Sequence, residues 1–207
     1  MKPRLFLLTV LCLGAGLPIG YVSLRAHAPE MPEVPATAAS AAESYDIDGV
    51  HSQVVFKANH LGVSYNYGRF NDVSGKFTWD AADPAKSSIE VTIKAESIDT
   101  GNGDRDNHLR GPDFFDAKQF PTISFKSTKV AKSGDGLKVT GDLSLHGKTK
   151  AITVDAKHVG SNDAGFGYRT GFDVAFTVKR SEYGMSEMLE MLGDEVMVMV
   201  GIEGVRK

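Results

Sequence analysis

The sequence predicts an all-β fold: an eight-stranded antiparallel β-barrel with one or two short helices. Two observations predict it. Apolar and polar residues alternate with period two in segment after segment, and turn-forming clusters separate the segments. Alternation of this kind marks strands with one apolar and one wet face, and regularly spaced short strands mark a sandwich or barrel. Closing the sheet removes both exposed edges.

Four strands are plain. Ile89, Val91, Ile93 and Ala95 alternate with Glu90, Thr92, Lys94 and Glu96. Leu137, Val139, Gly141, Leu143 and Leu145 alternate with Lys138, Thr140, Asp142, Ser144 and His146. Ile152, Val154 and Ala156 form a third set, and Phe172, Val174, Phe176 and Val178 a fourth. Further strands are expected over 52–60, 68–80, 122–131 and 195–205, which brings the total to eight. Turns are expected at 80–84, 133–136, 146–148 and 160–163, where Gly, Asp, Asn, Ser and Pro gather.

Two segments break the alternation. Residues 104–110 form a short helix stopped by Gly111-Pro112. Residues 182–192 form a second, with Met185, Met188, Leu189 and Leu192 on one face. In the last strand Val196, Val198, Val200 and Ile202 point one way and Met197 and Met199 the other, so cover is expected on both sides. The methionine-bearing helix is the expected cover.

The chain has 207 residues, divided into three parts. Residues 1–28 carry Lys2, Arg4 and Arg25, no acid, and an apolar run from Leu5 to Tyr21. A basic start before an apolar run is the pattern of a secretory signal peptide. An uncleaved inner-membrane anchor is the alternative, since the run approaches the ~20 residues that span a bilayer. Residues 29–44, rich in Pro, Ala, Ser and Glu, read as a disordered linker. Residues 45–207 are the folding domain, long enough for one core. Export through the signal places it in the periplasm.

Charge and cysteine content exclude several functions. Of the 23 basic residues, three lie in 1–28, leaving 20 against 26 acids. A nucleic-acid binder would carry a basic patch, and nucleic acid is not an expected partner. Cys12, the single cysteine, lies in the export segment, so the domain has no disulfide, cysteine nucleophile or thiolate metal site.

The inward-facing set alternates large and small. Phe56, Phe77, Trp79, Ile93, Phe125, Leu143, Val154, Phe172, Phe176 and Val198 are interspersed with Ala58, Gly75, Ala95, Gly141 and Ala156. Such a set packs a solid core or leaves a channel, and an eight-stranded barrel accommodates either. A channel so lined selects an apolar ligand, because each buried CH₂ contributes about 0.8 kcal/mol.

A series of motifs then resembles the YceI-like family of periplasmic, polyisoprenoid-binding proteins. They include Tyr45 to Phe56, His60-Leu-Gly-Val-Ser64, Tyr67-Gly-Arg-Phe70 and Gly75-Lys-Phe-Thr-Trp-Asp80. They continue with Ser97-Ile-Asp-Thr100, Arg105-Asp-Asn-His-Leu-Arg110, Asp113-Phe-Phe115, Pro121 to Thr128 and Thr140 to Lys150. The resemblance covers about 45–206. It implies a lipocalin-like barrel, export, and an interior that holds a polyprenyl lipid or the tail of an isoprenoid quinone as ligand, with no other cofactor. Expected partners are that lipid and a transient contact with the inner membrane, for a monomer or homodimer.

The candidate ligand-contact residues are Phe56, Ala58, His60, Phe77, Trp79, Ile93, His108, Arg110, Phe115, Phe125, Leu143, Phe172, Phe176, Met188 and Val198. Arg105 to Asp113 is either a polar gate at the channel mouth or a loop network that satisfies itself, and pairing of its opposite charges favours the network. Phe114, Phe115 and Phe120 pack the short helix on the barrel or line the entry. His51, His60, His108 and His146 match no compact metal motif, and no metal is expected. Ser52, Ser64 and Ser144 with His51 or His146 lack a Gly-x-Ser-x-Gly elbow, so no catalytic residues are assigned. An envelope enzyme on a barrel scaffold and a structural or chaperone-like envelope module are the alternatives to a lipid carrier.

Overall fold

A computed structural model describes residues 41–163 and 165–207. The expected signal and most of the linker lie outside these residues. Eleven strands and one α-helix follow in order: β1 (Glu43–Ile47), β2 (Gln53–His60), β3 (Ser64–Phe70), β4 (Val73–Trp79), β5 (Ser88–Lys94), β6 (Ile98–Asp99), α1 (Gly103–Arg110), β7 (Thr122–Ser133), β8 (Gly136–Leu145), β9 (Lys148–Asp163), β10 (Tyr168–Lys179) and β11 (Leu192–Arg206). Every strand pairing is antiparallel.

Eight strands close a ring: β1, β4, β5, β7, β8, β9, β10 and β11, with β11 returning to β1 through Tyr45–Arg206 and Ile47–Gly204. This is the lipocalin-like barrel that the sequence predicts. Its membership differs in one respect. β11 is long enough to pair with β1 over 204–206 and with β2 over 192–201, and β2 leads outward through β3 to β6. Strand β1 was not expected, and it begins at Glu43, two residues before the expected domain start. The Asp48 turn separates it from β2, with the His51 and Ser52 N–H groups donating to the Asp48 carbonyl.

Three expectations about elements are corrected. The run 68–80 is two strands broken at Asn71-Asp72, where the Asn71 N–H turns to the Ser97 carbonyl and the Asp72 N–H to Ser97 Oγ. The inward set changes parity across this corner, from Gly68 and Phe70 to Val73 and Phe77. The turn expected at 160–163 is strand, since β9 runs to Asp163 against Tyr168 and the chain reverses beyond it at Gly165 and Gly167, both with positive φ.

The second helix does not form. A single 3-10 turn over Arg180–Tyr183 ends at Gly184 with φ 88°, a left-handed conformation that glycine adopts freely. Met188 is also left-handed, at φ 54°. The carbonyls of Met185 and Glu187 that a helix would bond internally accept instead from the Arg180 guanidinium. The expected cover for the outer face of β11 is therefore missing from this segment, and Met197 is exposed.

Helix α1 forms as expected. Asn102 caps it by accepting the Arg105 N–H at 3.0 Å. Asp104 and Asp106 lie in its first turn and His108 and Arg110 in its last, which complements the helix dipole. Leu109 of the helix and Phe114 and Phe115 of the segment after it lie over one end of the barrel, beside the 180–192 loop. The β7–β8 and β9–β10 turns and β1 mark the opposite end.

Candidate functional site: an apolar cavity through the barrel

The inward faces of the ring do not fill the space between them. A cavity of about 270 Å³ runs through the barrel, close to the lower bound of about 300 Å³ for small-molecule pockets. The alternation that makes each strand amphipathic places its apolar set here. On three neighbouring strands Phe176, Val198 and Phe56 stand in register and all line the cavity. Val91, Ile93, Phe125 and Leu143 supply the opposite wall.

Aromatic contacts tighten both ends. Toward the β1 end Phe172 meets Trp79 edge-on at 5.1 Å and Phe77 at 5.7 Å, and Phe77 stacks on Tyr45 at 4.9 Å. Toward the helix end Phe70 lies 5.5 Å from Phe115 and 5.8 Å from Phe56. Polar residues in the wall are few. Thr78 and Ser88 hydrogen-bond one another at 2.9 Å, and Ser87 Oγ accepts the Asp80 N–H at 3.0 Å. His158 packs against Trp79 and Phe172 and bonds Thr170 Oγ1 at 2.9 Å. Burial pushes its imidazole pKa down, toward the neutral ring.

The structure brings eleven of the fifteen sequence-selected residues into the cavity wall: Phe56, Ala58, Phe77, Trp79, Ile93, Phe115, Phe125, Leu143, Phe172, Phe176 and Val198. His60, His108, Arg110 and Met188 are not part of it. His108 faces outward and bonds Asp113 at 3.0 Å, with both side chains about half exposed. Arg110 turns inward on the loop, its Nε–H donating to the Glu96 carbonyl and its Nη2–H to the Ile98 carbonyl, both at 2.7 Å. Arg105 donates to Thr100 Oγ1 and to the Thr100 carbonyl. The Arg105–Asp113 segment is thus the self-satisfying network, built on backbone carbonyls more than on Arg–Asp pairs. Met188 leaves the wall because its left-handed turn replaces the expected helix.

Of the three loop phenylalanines, Phe114 and Phe115 line the cavity, while Phe120 packs on His146 at 4.7 Å. Two wall residues carried no sequence signal. Arg180 follows the last residue of β10, where alternation stops, and Met185 was assigned to a helix that does not exist.

Three of the four candidate metal histidines, His51, His108 and His146, take separate partners. His146 Nδ1 bonds the Tyr183 carbonyl at 3.0 Å and His51 Nδ1 bonds Asp48 at 2.9 Å. Asp48, His51 and Glu203 do approach one another, but Arg169 already bridges Asp48 and Glu203. Its guanidinium, helped by His51, holds the Asp48 carboxyl well below the usual carboxylate range. Ser52 is buried in a backbone role, exchanging hydrogen bonds with Glu203.

The fold and cavity define a class: a closed β-barrel with an apolar interior, of the lipocalin type. The YceI-like domain family matches residues 45–204. A UPF0312 protein of Pseudomonas aeruginosa is 41% identical over 169 residues, covering 80% of this chain and 88% of that protein. One from Yersinia pseudotuberculosis is 41% identical over 174 residues, covering 82% and 91%. Among solved structures, Burkholderia cenocepacia BcnA superposes with a TM-score of 0.71 at 28% identity, covering 76% of this chain and 99% of that one. The Campylobacter jejuni YCEI protein gives 0.65 at 32%, covering 72% and 89%. A polyisoprenoid binding domain from Saccharophagus degradans shares the fold, with a TM-score of 0.60 at 16% identity over 80% of this chain and 99% of that one. The chain belongs to the YceI-like family.

Proposed function

We propose that this protein binds a long-chain polyisoprenoid lipid, a polyprenyl lipid or an isoprenoid quinone, within its barrel, and sequesters or carries it in the periplasm. The observation that carries this reading is the apolar cavity of about 270 Å³ inside a closed barrel. Each isoprene unit placed there buries five carbons. At about 0.8 kcal/mol per carbon that is roughly 4 kcal/mol of transfer free energy per unit, so strong binding needs few polar contacts. The polyisoprenoid binding described for the fold neighbour from Saccharophagus degradans agrees with this chemistry. The basic start and apolar run of residues 1–28 support export.

A binding role, rather than catalysis, fits the wall. Thr78 and Ser88 pair with one another and Ser87 with backbone, and among the described wall residues no hydroxyl stands hydrogen-bonded to a side-chain base. The test is native mass spectrometry and organic extraction of the protein purified from the periplasm. A co-purified lipid made of isoprene repeats is expected. Protein that leaves the cell empty and fails to take up an added polyprenol would overturn the reading.

A further inference from the structure

Arg180 is the one charged residue in the cavity wall among the described residues. It is 6% exposed. Its Nε–H donates to the Gly193 carbonyl at 3.1 Å. Its Nη1 donates to the carbonyls of Met185 at 2.9 Å and Glu187 at 2.7 Å, and Nη2 to that of Leu192 at 2.9 Å. Guanidinium carries five N–H donors. These bonds use four, and the second hydrogen on Nη2 has no partner among the described residues.

The charge itself has no close ion pair, and Asp194 and Glu187 act on it only from a distance. No carboxylate lies within 4.0 Å of the Arg180 guanidinium among the described residues. The nearby Asp194 is turned away, accepting from the Ser181 N–H at 2.9 Å and the Ser181 hydroxyl at 2.8 Å. Carbonyl dipoles offset part of the cost of burying a cation, but an uncompensated buried charge remains unfavourable. The Phe114 ring, 6.0 Å away, shields it from the helix side. Arg105 and Arg110 also bond carbonyls, yet neither lies in the wall. The wall at the opposite end, around Val130, Leu137 and Ala156, carries no charged side chain among the described residues, only the neutral hydroxyls of Thr78, Ser87 and Ser88.

We propose that Arg180 is the polar end of the cavity, receiving an oxygen acceptor carried at one terminus of the isoprenoid, with an anionic phosphate held more tightly than a neutral oxygen. This deepens the lipid-binding reading and rests on it. The head lies beside the 180–192 loop and the tail runs toward Trp79. An anion gains most because it supplies both the missing acceptor and a close countercharge.

The test uses four probes of equal chain length: a prenyl hydrocarbon, a prenol, a prenyl monophosphate and a prenyl quinone. Each is titrated into delipidated protein and followed by fluorescence of the single tryptophan, Trp79. Affinity is expected to rise from hydrocarbon to prenol to phosphate, with roughly ten- to a hundred-fold between the extremes. In Arg180→Gln the ratio of phosphate to hydrocarbon affinity should collapse toward one. Should that variant fail to fold, ¹⁵N-labelled arginine side chains in the wild type decide the matter. The Arg180 Nε–H resonance should shift with the phosphate and stay in place with the hydrocarbon. Equal affinity for hydrocarbon, prenol and phosphate, or a quinone bound more tightly than the phosphate, overturns the proposal while leaving lipid binding intact. Failure of all four to bind overturns lipid binding itself.

Discussion

Narrowing the cavity at its waist separates an empty channel from a packed core. Val198 stands in the middle of β11, in register with Phe176 on β10 and Phe56 on β2, and all three side chains line the cavity. Val198→Phe adds about four carbons to the wall, and each ligand CH₂ they displace forfeits roughly 0.8 kcal/mol. Complete displacement would cost about 3 kcal/mol. A flexible chain recovers part by shifting, which leaves about 1.5–2.5 kcal/mol, or roughly ten- to seventy-fold in Kd. The added ring enters open space, so the delipidated protein should lose less than the ~1–3 kcal/mol typical of an overpacked core. Trp79 fluorescence titration with a polyprenol measures the first quantity, and urea denaturation of delipidated protein the second. Retained lipid affinity together with the full overpacking penalty would refute the reasoning, because that combination belongs to a filled interior.

Three further outcomes follow from particular contacts. Gly75 holds φ 145°, and an added Cβ would meet the Glu90 carbonyl carbon at 3.0 Å and Ile47 Cδ1 at 3.1 Å; Gly75→Ala should cost at least ~2 kcal/mol in urea denaturation. Arg110→Met removes donors to Glu96 and Ile98 and should lower stability by about 1–3 kcal/mol while leaving lipid affinity unchanged; a fall in affinity at unchanged stability would restore a gating role. Asp48 has a folded pKa below its unfolded value, so the stability it contributes is present above about pH 4 and is lost as pH falls through the folded pKa. The Tm gap between wild type and Asp48→Asn should therefore be widest near neutrality and close as the solution is acidified; a gap constant from pH 7 to pH 2 would count against the Arg169 pairing.

Much of this was legible in the chain, for identifiable reasons. Strands β5, β7, β8, β9, β10 and β11 follow from alternation because each buries one face and wets the other. That geometry selects residue type at every second position. The eleven wall residues found in advance are the inward members of such runs. Helix α1 was visible through the break in alternation and the stop at Gly111-Pro112, while its Asn102 cap and charge order came with the structure. The misses have physical causes too. Strand β1 is too short to display a period, and β3 and β4 read as one because only two residues, Asn71 and Asp72, separate them and neither is Gly or Pro. The 182–192 segment has helical spacing of Met and Leu, but spacing says nothing about competition for carbonyls. Arg180, only 6% exposed, takes those carbonyls and holds the segment as turns.

By itself, the sequence determines an antiparallel barrel with an apolar lining, a chain without disulfides in its folded part, and a short helix, since these depend on local periodicity and residue type. Whether the lining meets across the barrel is set by distances between strands far apart in the chain. Only the tertiary structure therefore decided that a cavity of about 270 Å³ remains. It also decided that β11 divides its edge between β1 and β2, and that a buried arginine stands in an otherwise nearly apolar wall. Closure, residual volume and the partners of a buried charge are properties of packing, and no window of neighbouring residues encodes them.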